Sequence, residues 1–466
     1  MVFSSLPFLF FFFPIFLIIY FIVPNRIKNI ILLIFSLIFY AWGEPIYIVL
    51  MIFSSVVDYT NGRLIEKYYN NKIKKRIFLI LSVIINLSLL GFFKYSNFLI
   101  ENFNYFVGTN IDLLKLSLPI GISFYTFQTM SYSIDVYRGK VKASHNFLDF
   151  MTYVCMFPQL IAGPIVRYED VEKELHVRNH NYDNFYNGIY RFVQGLFKKV
   201  LVANNIGMLF ETISVISDKS MLLCWLGAIA FALQIYFDFS GYSDMAIGMG
   251  KIMGFNYPEN FNYPYTATSI TDFWRRWHMT LSSWFKDYLY IPIGGSRVSK
   301  LFNIKNLFVV WILTGFWHGA NWNFIIWGLY FGILLILEKF VLNKFLEKLP
   351  NWLKRGYTLF LIIISWVIFA FDDVSIGKEY FSSMFNFKNI IDNNFIYYFK
   401  EYFIILIVAI FFTTPFYKKY LAIIGKNSKI ELISNVVCLV TMIILFIVAV
   451  SSLIGDTYNP FMYFRF

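Results

Sequence analysis

The stretch that decides the fold is LFVVWILTGFWHGANWNFIIWGLYFGILLIL, residues Leu307–Leu337. It contains no Asp, Glu, Lys or Arg, and it exceeds the about 20 apolar residues that cross a bilayer. An ionisable side chain is costly at membrane depth, so His318 within this run is a functional-site hypothesis by default. Asn321, three residues later, is expected on about the same helical face. The structural alternative is a buried histidine that hydrogen-bonds a neighbouring helix.

The composition is that of a membrane protein. Of 466 residues, 58% are hydrophobic and 15% are charged, whereas soluble domains carry about 25% charged residues. The net charge of +12 comes from Lys and Arg in short segments between apolar runs, which indicates membrane orientation rather than nucleic-acid binding. We therefore expect an all-α polytopic membrane protein that forms a single domain, residues 1–466.

Apolar runs recur along the whole chain. The clear runs are Leu6–Val23, Ile30–Trp42, Ile46–Val57, Ile77–Phe93, Met221–Phe239, Leu307–Phe316 continuing through Trp322–Leu337, Tyr357–Phe371, Phe403–Phe412 and Leu432–Leu453. Three weaker runs contain Gly, Pro or charge, which is typical of re-entrant or broken helices: Leu116–Ile134, Phe147–Ile161 and Ile189–Phe210. Because irregular backbone at membrane depth must be covered by protein or line a cavity, these runs predict an internal cavity.

Loop charge predicts the orientation. The segment Arg63–Arg76 carries six basic residues against Glu66 alone, so we expect it on the cytoplasmic side. Two later groups indicate the same side: Arg191, Lys198 and Lys199, and then Lys418, Lys419, Lys426 and Lys429. Counting helices from these groups puts the N-terminus and the C-terminal tail, residues 454–466, on the extracellular side of a cell membrane.

A second histidine lies in Ser269–Tyr290. Ser269 to Asp272 fits a capping box, so a helix is expected to begin there. One apolar face and several charges at helical spacing then predict an amphipathic helix that lies at the membrane interface or dips into a cavity. The residues of interest are Asp272, Trp274, Arg275, Arg276, Trp277 and His278. An interfacial anchor explains the tryptophans, but it explains His278 poorly.

Asp238 and Asp244, in FDFSGYSD, are two carboxylates at the end of an apolar run. They either grip a polar substrate or mark the end of a helix. Together with Asp272, His278 and His318 they could form a metal site, but two histidines are too few for a closed one, and we predict no metal. A transporter with proton-coupling histidines and a non-catalytic scaffold are the other classes that the residues leave open.

Six stretches together resemble the membrane-bound O-acyltransferase (MBOAT) family, in its alginate O-acetyltransferase-like branch. They are LPIGISFYTFQTMSYSIDVYRG (Leu118–Gly139), FPQLIAGPIVRY (Phe157–Tyr168), YFDFSGYSDMAIGMG (Tyr236–Gly250), PENFNYPY (Pro258–Tyr265), ITDFWRRWHMTLSSWFKDYLYIPIGGSR (Ile270–Arg297) and TGFWHGANWNFIIWG (Thr314–Gly328). The resemblance implies a ring of about 11 membrane-crossing helices with re-entrant or interfacial helices around a central funnel. It puts the catalytic core at about residues 115–340.

The resemblance also implies the chemistry. His318 is the family's catalytic histidine and His278 its second characteristic histidine, with Trp317 and the residues around His278 in support. The donor is a thioester, acetyl-CoA or an acyl carrier protein, used as a substrate with no bound cofactor. The acyl group, acetyl in this branch, is exported to an extracellular or cell-wall polysaccharide with an extracellular SGNH-type acetyltransferase as partner. D-alanyl transfer toward teichoic acid is the alternative, which the segment Ile291–Arg297 disfavours.

The tail, FMYFRF from Phe461 to Phe466, fits a C-terminal F-x-Y-x-x-F pattern of this export system. The resemblance implies that Tyr463 takes the acyl group near His318 and passes it to the extracellular partner. The simpler alternative is an aromatic anchor at the membrane interface, which needs no chemistry.

Overall fold

The computed structural model describes residues 1–161, 163–416, 428–455 and 458–462, and for residues 428–433 it describes the backbone alone. Over these residues the chain is helical and contains no β-strand. The prediction of an all-α protein is therefore confirmed.

The helices are labelled here in chain order. They are α1 (Phe13–Ile22), α2 (Lys28–Gly43), α3 (Ile48–Lys67), α4 (Lys72–Val107), α5 (Ile122–Arg138), α6 (Phe147–Cys155), α7 (Phe157–Leu160), α8 (Tyr168–His176), α9 (Tyr182–Phe197), α10 (Asn204–Val215), α11 (Met221–Ile252), α12 (Ile270–Trp274), α13 (Met279–Phe285), α14 (Lys300–His318), α15 (Trp322–Leu337), α16 (Asn343–Lys348), α17 (Asn351–Ala370), α18 (Val374–Ser383), α19 (Asn393–Phe412) and α20 (Ser428–Gly455). Short π-helical segments adjoin α1, α9, α13 and α15: Phe8–Phe12, Lys198–Ala203, Lys286–Tyr290 and Glu338–Leu342.

Seven helical segments in the described part of the chain are long and apolar enough to cross a membrane. They are Ile48–Lys67, Lys72–Val107, Met221–Ile252, Trp322–Lys348, Asn351–Ala370, Asn393–Phe412 and Ser434–Gly455. The multi-pass character predicted from composition is confirmed. The ring of about 11 helices stays a prediction.

The chain divides into two compact units. The first comprises Met1–Phe192 with Ser243–Pro258, and the second comprises Val193–Tyr242 with Glu259–Phe466. His278 and His318 belong to the second unit, and the prediction of a single domain stays a prediction.

In the first unit, a buried carboxylate joins three long helices. Asp58 on α3 accepts hydrogen bonds from Asn86 on α4 at 2.6 Å, from Ser133 on α5 at 2.9 Å, and from Ser82 on α4. All four side chains are buried. Because polar groups inside a bilayer must find partners within the protein, these bonds fix how α3, α4 and α5 pack.

In the second unit, α14 and α15 form a closely packed hairpin. A Cβ at Gly315 would lie 2.3 Å from the carbonyl oxygen of Phe324, and a Cβ at Gly328 would lie 2.4 Å from that of Trp311. Glycine therefore allows the two backbones to approach more closely than any other residue would.

The hairpin corrects the interpretation of the central apolar run. α14 ends at His318 and α15 begins at Trp322, so the run from Leu307 to Leu337 is two helices joined by a turn. Asn321 does not share a helical face with His318. Its side chain caps α15 by accepting from the Trp322 N–H at 2.6 Å, and it donates to the Asp372 carbonyl at 3.1 Å.

One group of predicted loop charges is also corrected. Arg191 lies within α9, and Lys198 and Lys199 lie in the π-helical segment that follows α9, so these residues form no loop. Lys199 is buried, with 2% of its surface exposed, and its charge cannot report on orientation. Lys418, Lys419 and Lys426 lie outside the described residues, and Lys429 is described by its backbone alone.

We expect Gly328→Ala to lower the melting temperature of the purified protein. The added methyl group would meet the Trp311 carbonyl, and overpacking of this kind costs about 1–3 kcal/mol. Gly332→Ala, one turn further along α15, is the matched control because its Cβ would lie 3.4 Å from the nearest atom. Equal melting temperatures of the two variants in detergent would contradict the close crossing.

Candidate active site

His318 lines a cavity within the second unit. The walls are mostly aromatic, and they include one carboxylate and two residues from the C-terminal segment: Ile235, Asp238, Phe239, Trp277, His318, Trp327, Trp366, Phe369, Phe461 and Met462. An apolar cavity that holds a few polar groups is the usual form of a small-molecule site.

The end of α14 positions His318. Gly319 follows it, and a Cβ there would lie 2.1 Å from the Phe324 ring, so glycine leaves room for that buried ring. The imidazole is 7% exposed and packs edge-on against the rings of Trp327 at 5.1 Å and Phe369 at 5.5 Å between centroids. His318 is therefore held by a rigid hairpin and an aromatic wall.

His278 lies at a break between α12 and α13. Ser269 caps α12 as predicted, because its hydroxyl accepts from the Asp272 N–H at 2.9 Å, but α12 ends at Trp274. His278 has φ 42° and ψ 54°, a left-handed conformation that is uncommon outside glycine. The prediction of one continuous amphipathic helix is wrong, because the backbone turns at His278.

Asn260 determines which ring nitrogen of His278 carries the proton. Its Oδ1 lies 3.0 Å from His278 Nδ1 and accepts from the Thr280 hydroxyl at 2.9 Å and the Thr280 N–H at 3.3 Å. A backbone N–H can only donate, so the atom facing it is the amide oxygen, and His278 Nδ1 must donate to that oxygen as well. In neutral His278 the lone pair is then on Nε2.

The environment of His278 favours this neutral form. Burial lowers the pKa of His278 well below its ordinary value, and nearby His318 lowers it further. Nε2 is buried and has no hydrogen-bond partner among the described residues. The Trp317 ring lies 6.3 Å from the His278 ring and 5.1 Å from the His318 ring, so one indole contacts both histidines. The site thus combines two imidazoles in an apolar surrounding.

Asp238 lies in the cavity wall and is paired. Its Oδ1 lies 2.6 Å from Lys199 Nζ, and its Oδ2 accepts the Met462 N–H at 2.9 Å. The described part of the C-terminal segment thus reaches the cavity of His318. Tyr463, the next residue, lies outside the described residues.

The other predicted residues divide between the cavity and its surroundings. Trp277 lines the cavity, whereas Trp274 packs against Trp311, Trp327 and Phe331. Asp272 forms an ion pair of 2.9 Å with Arg276, and Arg275 is exposed. None of Asp272, Arg275 and Arg276 lines the cavity.

Asp244 belongs to the first unit, where its carboxylate pairs with Arg191 at 2.8 Å. Helix α11 continues to Ile252, so FDFSGYSD is not the end of a helix. No group of three or more His, Cys, Asp or Glu residues in the described part of the chain is arranged to hold a metal ion.

Sequence reasoning missed three residues. Asn260 lies in PENFNYPY, and nothing in a single sequence connects its side chain to His278, 18 residues later. Lys199 was counted as a loop charge. Glu338, at the end of α15, is 4% exposed and accepts the Ile270 N–H at 2.7 Å and the Thr271 N–H at 3.1 Å, so it holds the start of α12.

Comparison with known proteins supports one family. Residues 42–376 match the sequence model of the membrane-bound O-acyltransferase family. The chain is 43% identical over 391 residues to the probable alginate O-acetylase AlgI of Pseudomonas aeruginosa. This match covers 83% of this chain and 75% of that protein. It is 39% identical over 405 residues to a peptidoglycan O-acetyltransferase of Helicobacter pylori, covering 79% and 77%.

The match to a teichoic acid D-alanyltransferase of Bacillus subtilis is weaker. It is 31% identical over 266 residues and covers 54% of this chain and 67% of that protein. The order of similarity favours the O-acetyltransferase branch over the D-alanyl branch. The resemblance seen in the sequence motifs is confirmed: the chain is an enzyme and belongs to the membrane-bound O-acyltransferase (MBOAT) family.

Proposed function

We propose that this O-acyltransferase moves an acetyl group from a cytoplasmic thioester, acetyl-CoA, across the membrane for O-acetylation of an extracellular or cell-wall polysaccharide. The observation that carries the proposal is His318, buried in an aromatic cavity that the C-terminal segment also lines. The relatives that act on alginate and on peptidoglycan support a polysaccharide acceptor.

His318 acts as the general base. A neutral imidazole takes the proton of an acceptor hydroxyl while the hydroxyl oxygen attacks the thioester carbonyl. The new C–O bond forms, the C–S bond breaks, and the thiolate leaves toward the cytoplasm and gains a proton. The rings of Trp277, Trp327, Trp366 and Phe369 keep water away from the thioester, which would otherwise hydrolyse.

His278 acts as a second proton acceptor beside His318. A role in polarising the thioester carbonyl would instead need a hydrogen-bond donor on the ring nitrogen that faces the carbonyl. The hydrogen bonds of Asn260 support a lone pair on Nε2, which accepts a hydrogen bond or a proton. Arg275 is exposed, so it is a candidate for binding anionic groups of the donor.

Tyr463 is the proposed acceptor hydroxyl. Met462, the residue before Tyr463, lines the same cavity as His318, and this supports the proposal that Tyr463 reaches His318. A serine hydroxyl of an extracellular SGNH-type acetyltransferase then attacks the acyl-tyrosine ester. The serine ester forms, the bond from the acyl carbon to the tyrosine oxygen breaks, and the Tyr463 hydroxyl is regenerated with the proton that the serine loses. This step requires the tail to end on the extracellular side. Loop charge around Arg63–Arg76 supports that orientation, with the N-terminus on the same side.

We expect His318→Ala to reduce cell-surface O-acetyl ester at least 100-fold, because general-base catalysis contributes about 10²–10⁴-fold. The ester is measured as acetate released by alkali from surface glycans, together with the amount of protein in the membrane. The control is His145→Ala, which changes an exposed histidine beside Glu66. Ester levels that stay normal in His318→Ala would refute the catalytic assignment and favour a transporter or a scaffold.

We expect Asn260→Leu to lower acyl transfer about 10- to 100-fold, as the loss of a residue that orients a functional histidine does in metal sites. Asn260→Asp keeps an oxygen acceptor for Nδ1–H, so it should retain more activity. The carboxylate should also raise the pKa of His278. Protonated His278 cannot accept a hydrogen bond or a proton. As the pH is lowered, the activity of Asn260→Asp should therefore begin to fall at a higher pH than that of the parent protein. An unchanged pH profile would contradict the acceptor role.

We expect Tyr463→Phe to abolish ester formation while the aromatic ring, and thus any anchoring, is kept. Tyr458→Phe, in the same tail, is the matched control and should retain transfer. Mass spectrometry of the C-terminal peptide should find an acyl group on Tyr463 in the parent protein. Persistent transfer by Tyr463→Phe would favour the interface anchor.

A further inference from the structure

Lys199 and Asp238 form an ion pair inside the second unit. The distance from Lys199 Nζ to Asp238 Oδ1 is 2.6 Å, and each side chain is 3% exposed. Burying two charges is costly, so each ion also needs hydrogen bonds to its remaining donors or acceptors. The acyl-transfer chemistry described above uses neither residue.

The additional partners of this ion pair are backbone atoms of the C-terminal segment. Asp238 Oδ2 accepts the Met462 N–H at 2.9 Å, and Lys199 Nζ donates to the Pro460 carbonyl. Phe461, between these two contacts, stacks on Tyr242 at 4.4 Å between ring centroids and is 7% exposed. The two charges therefore hold the segment on both sides of a buried aromatic anchor.

The polarity of the pair matches the segment. Proline has no N–H, so at Pro460 the backbone offers only a carbonyl, which suits a cation. Two residues later, Met462 presents an N–H to a carboxylate. Asn204 Nδ2 makes a further contact with Asn459 Oδ1 at 3.3 Å. The cation thus meets a carbonyl and the carboxylate meets an N–H, which is the pairing that each charge requires.

We infer that Lys199 and Asp238 are positioning residues that dock residues 459–462 beside the cavity of His318 through the backbone of that segment. Their contribution to acyl transfer rests on the proposed function, in which Tyr463, the residue after Met462, is the acceptor. The docking itself does not depend on that function. If the pair only stabilised the helix packing, exchanging its two charges would leave the C-terminal segment docked.

Exchanging the two charges separates these roles. Lys199→Asp with Asp238→Lys keeps a buried ion pair, so it preserves charge balance between the same two positions. It also places a carboxylate against the Pro460 carbonyl and an ammonium group against the Met462 N–H, so neither hydrogen bond to the segment can form. A purely structural pair should tolerate the exchange, whereas a docking pair should release the tail.

Tail release can be measured without acyl transfer. Met462→Cys keeps the backbone N–H that contacts Asp238, and it is introduced together with Cys438→Ser, because Cys155 and Cys224 are buried. The full-length protein in membranes is treated with a thiol-reactive maleimide. We expect the charge exchange to speed labelling of Cys at position 462 about tenfold and to lower ester formation. Labelling at the parent rate would overturn the proposal.

A second variant covers a failure of the exchanged protein to fold. Lys199→Met with Asp238→Leu removes both charges, and apolar replacements of a buried pair are often tolerated. This variant should also label faster, and parent-rate labelling would overturn the proposal in the same way. The control is an exchange of Arg191 and Asp244, a pair of 2.8 Å in the first unit, which should leave labelling unchanged. His318→Ala should lose ester but label at the parent rate, which distinguishes failed docking from failed chemistry.

Discussion

The close crossing of α14 and α15 is the contact on which the candidate site depends. Two glycines bring the backbones within van der Waals distance, so the turn between the helices is short and His318 ends α14 in a fixed position. The aromatic side chains of α15 and α17 then form the wall against which the imidazole packs. A looser hairpin would leave the same residues in the protein but would not hold the histidine against that wall.

The sequence predicted the class of protein well, and it singled out a histidine that lies in a cavity wall. Composition and apolar run length are strong signals because the bilayer imposes them on every crossing segment. His318 stood out because an ionisable group within such a run is rare. These arguments need no knowledge of tertiary contacts, which explains why they hold for the multi-pass helical architecture and for the place of His318 in the cavity wall.

The sequence failed where a tertiary contact decided the outcome. The run from Leu307 to Leu337 shows no charge at its break, and the Gly, His and Asn residues of GFWHGANWN did not by themselves reveal the turn after His318. The capping box at Ser269 was real, but helical spacing continued past the end of α12 and concealed the left-handed residue His278. Lys199 looked like a loop charge because its partner Asp238 is distant in sequence. Periodicity reports faces of helices, and it cannot report which distant residue a buried charge meets.

Recognition through the backbone has a consequence for how the C-terminal segment can vary. Lys199 and Asp238 contact main-chain atoms at positions 460 and 462, so side chains at those positions contribute little to these two contacts. Substitution there should be tolerated during evolution provided that the backbone atoms remain in place. An inserted or deleted residue between positions 459 and 462 is different, because it changes the register of every later residue against the two charges. Sequence drift at positions 460 and 462 should therefore be limited by spacing more than by chemical identity.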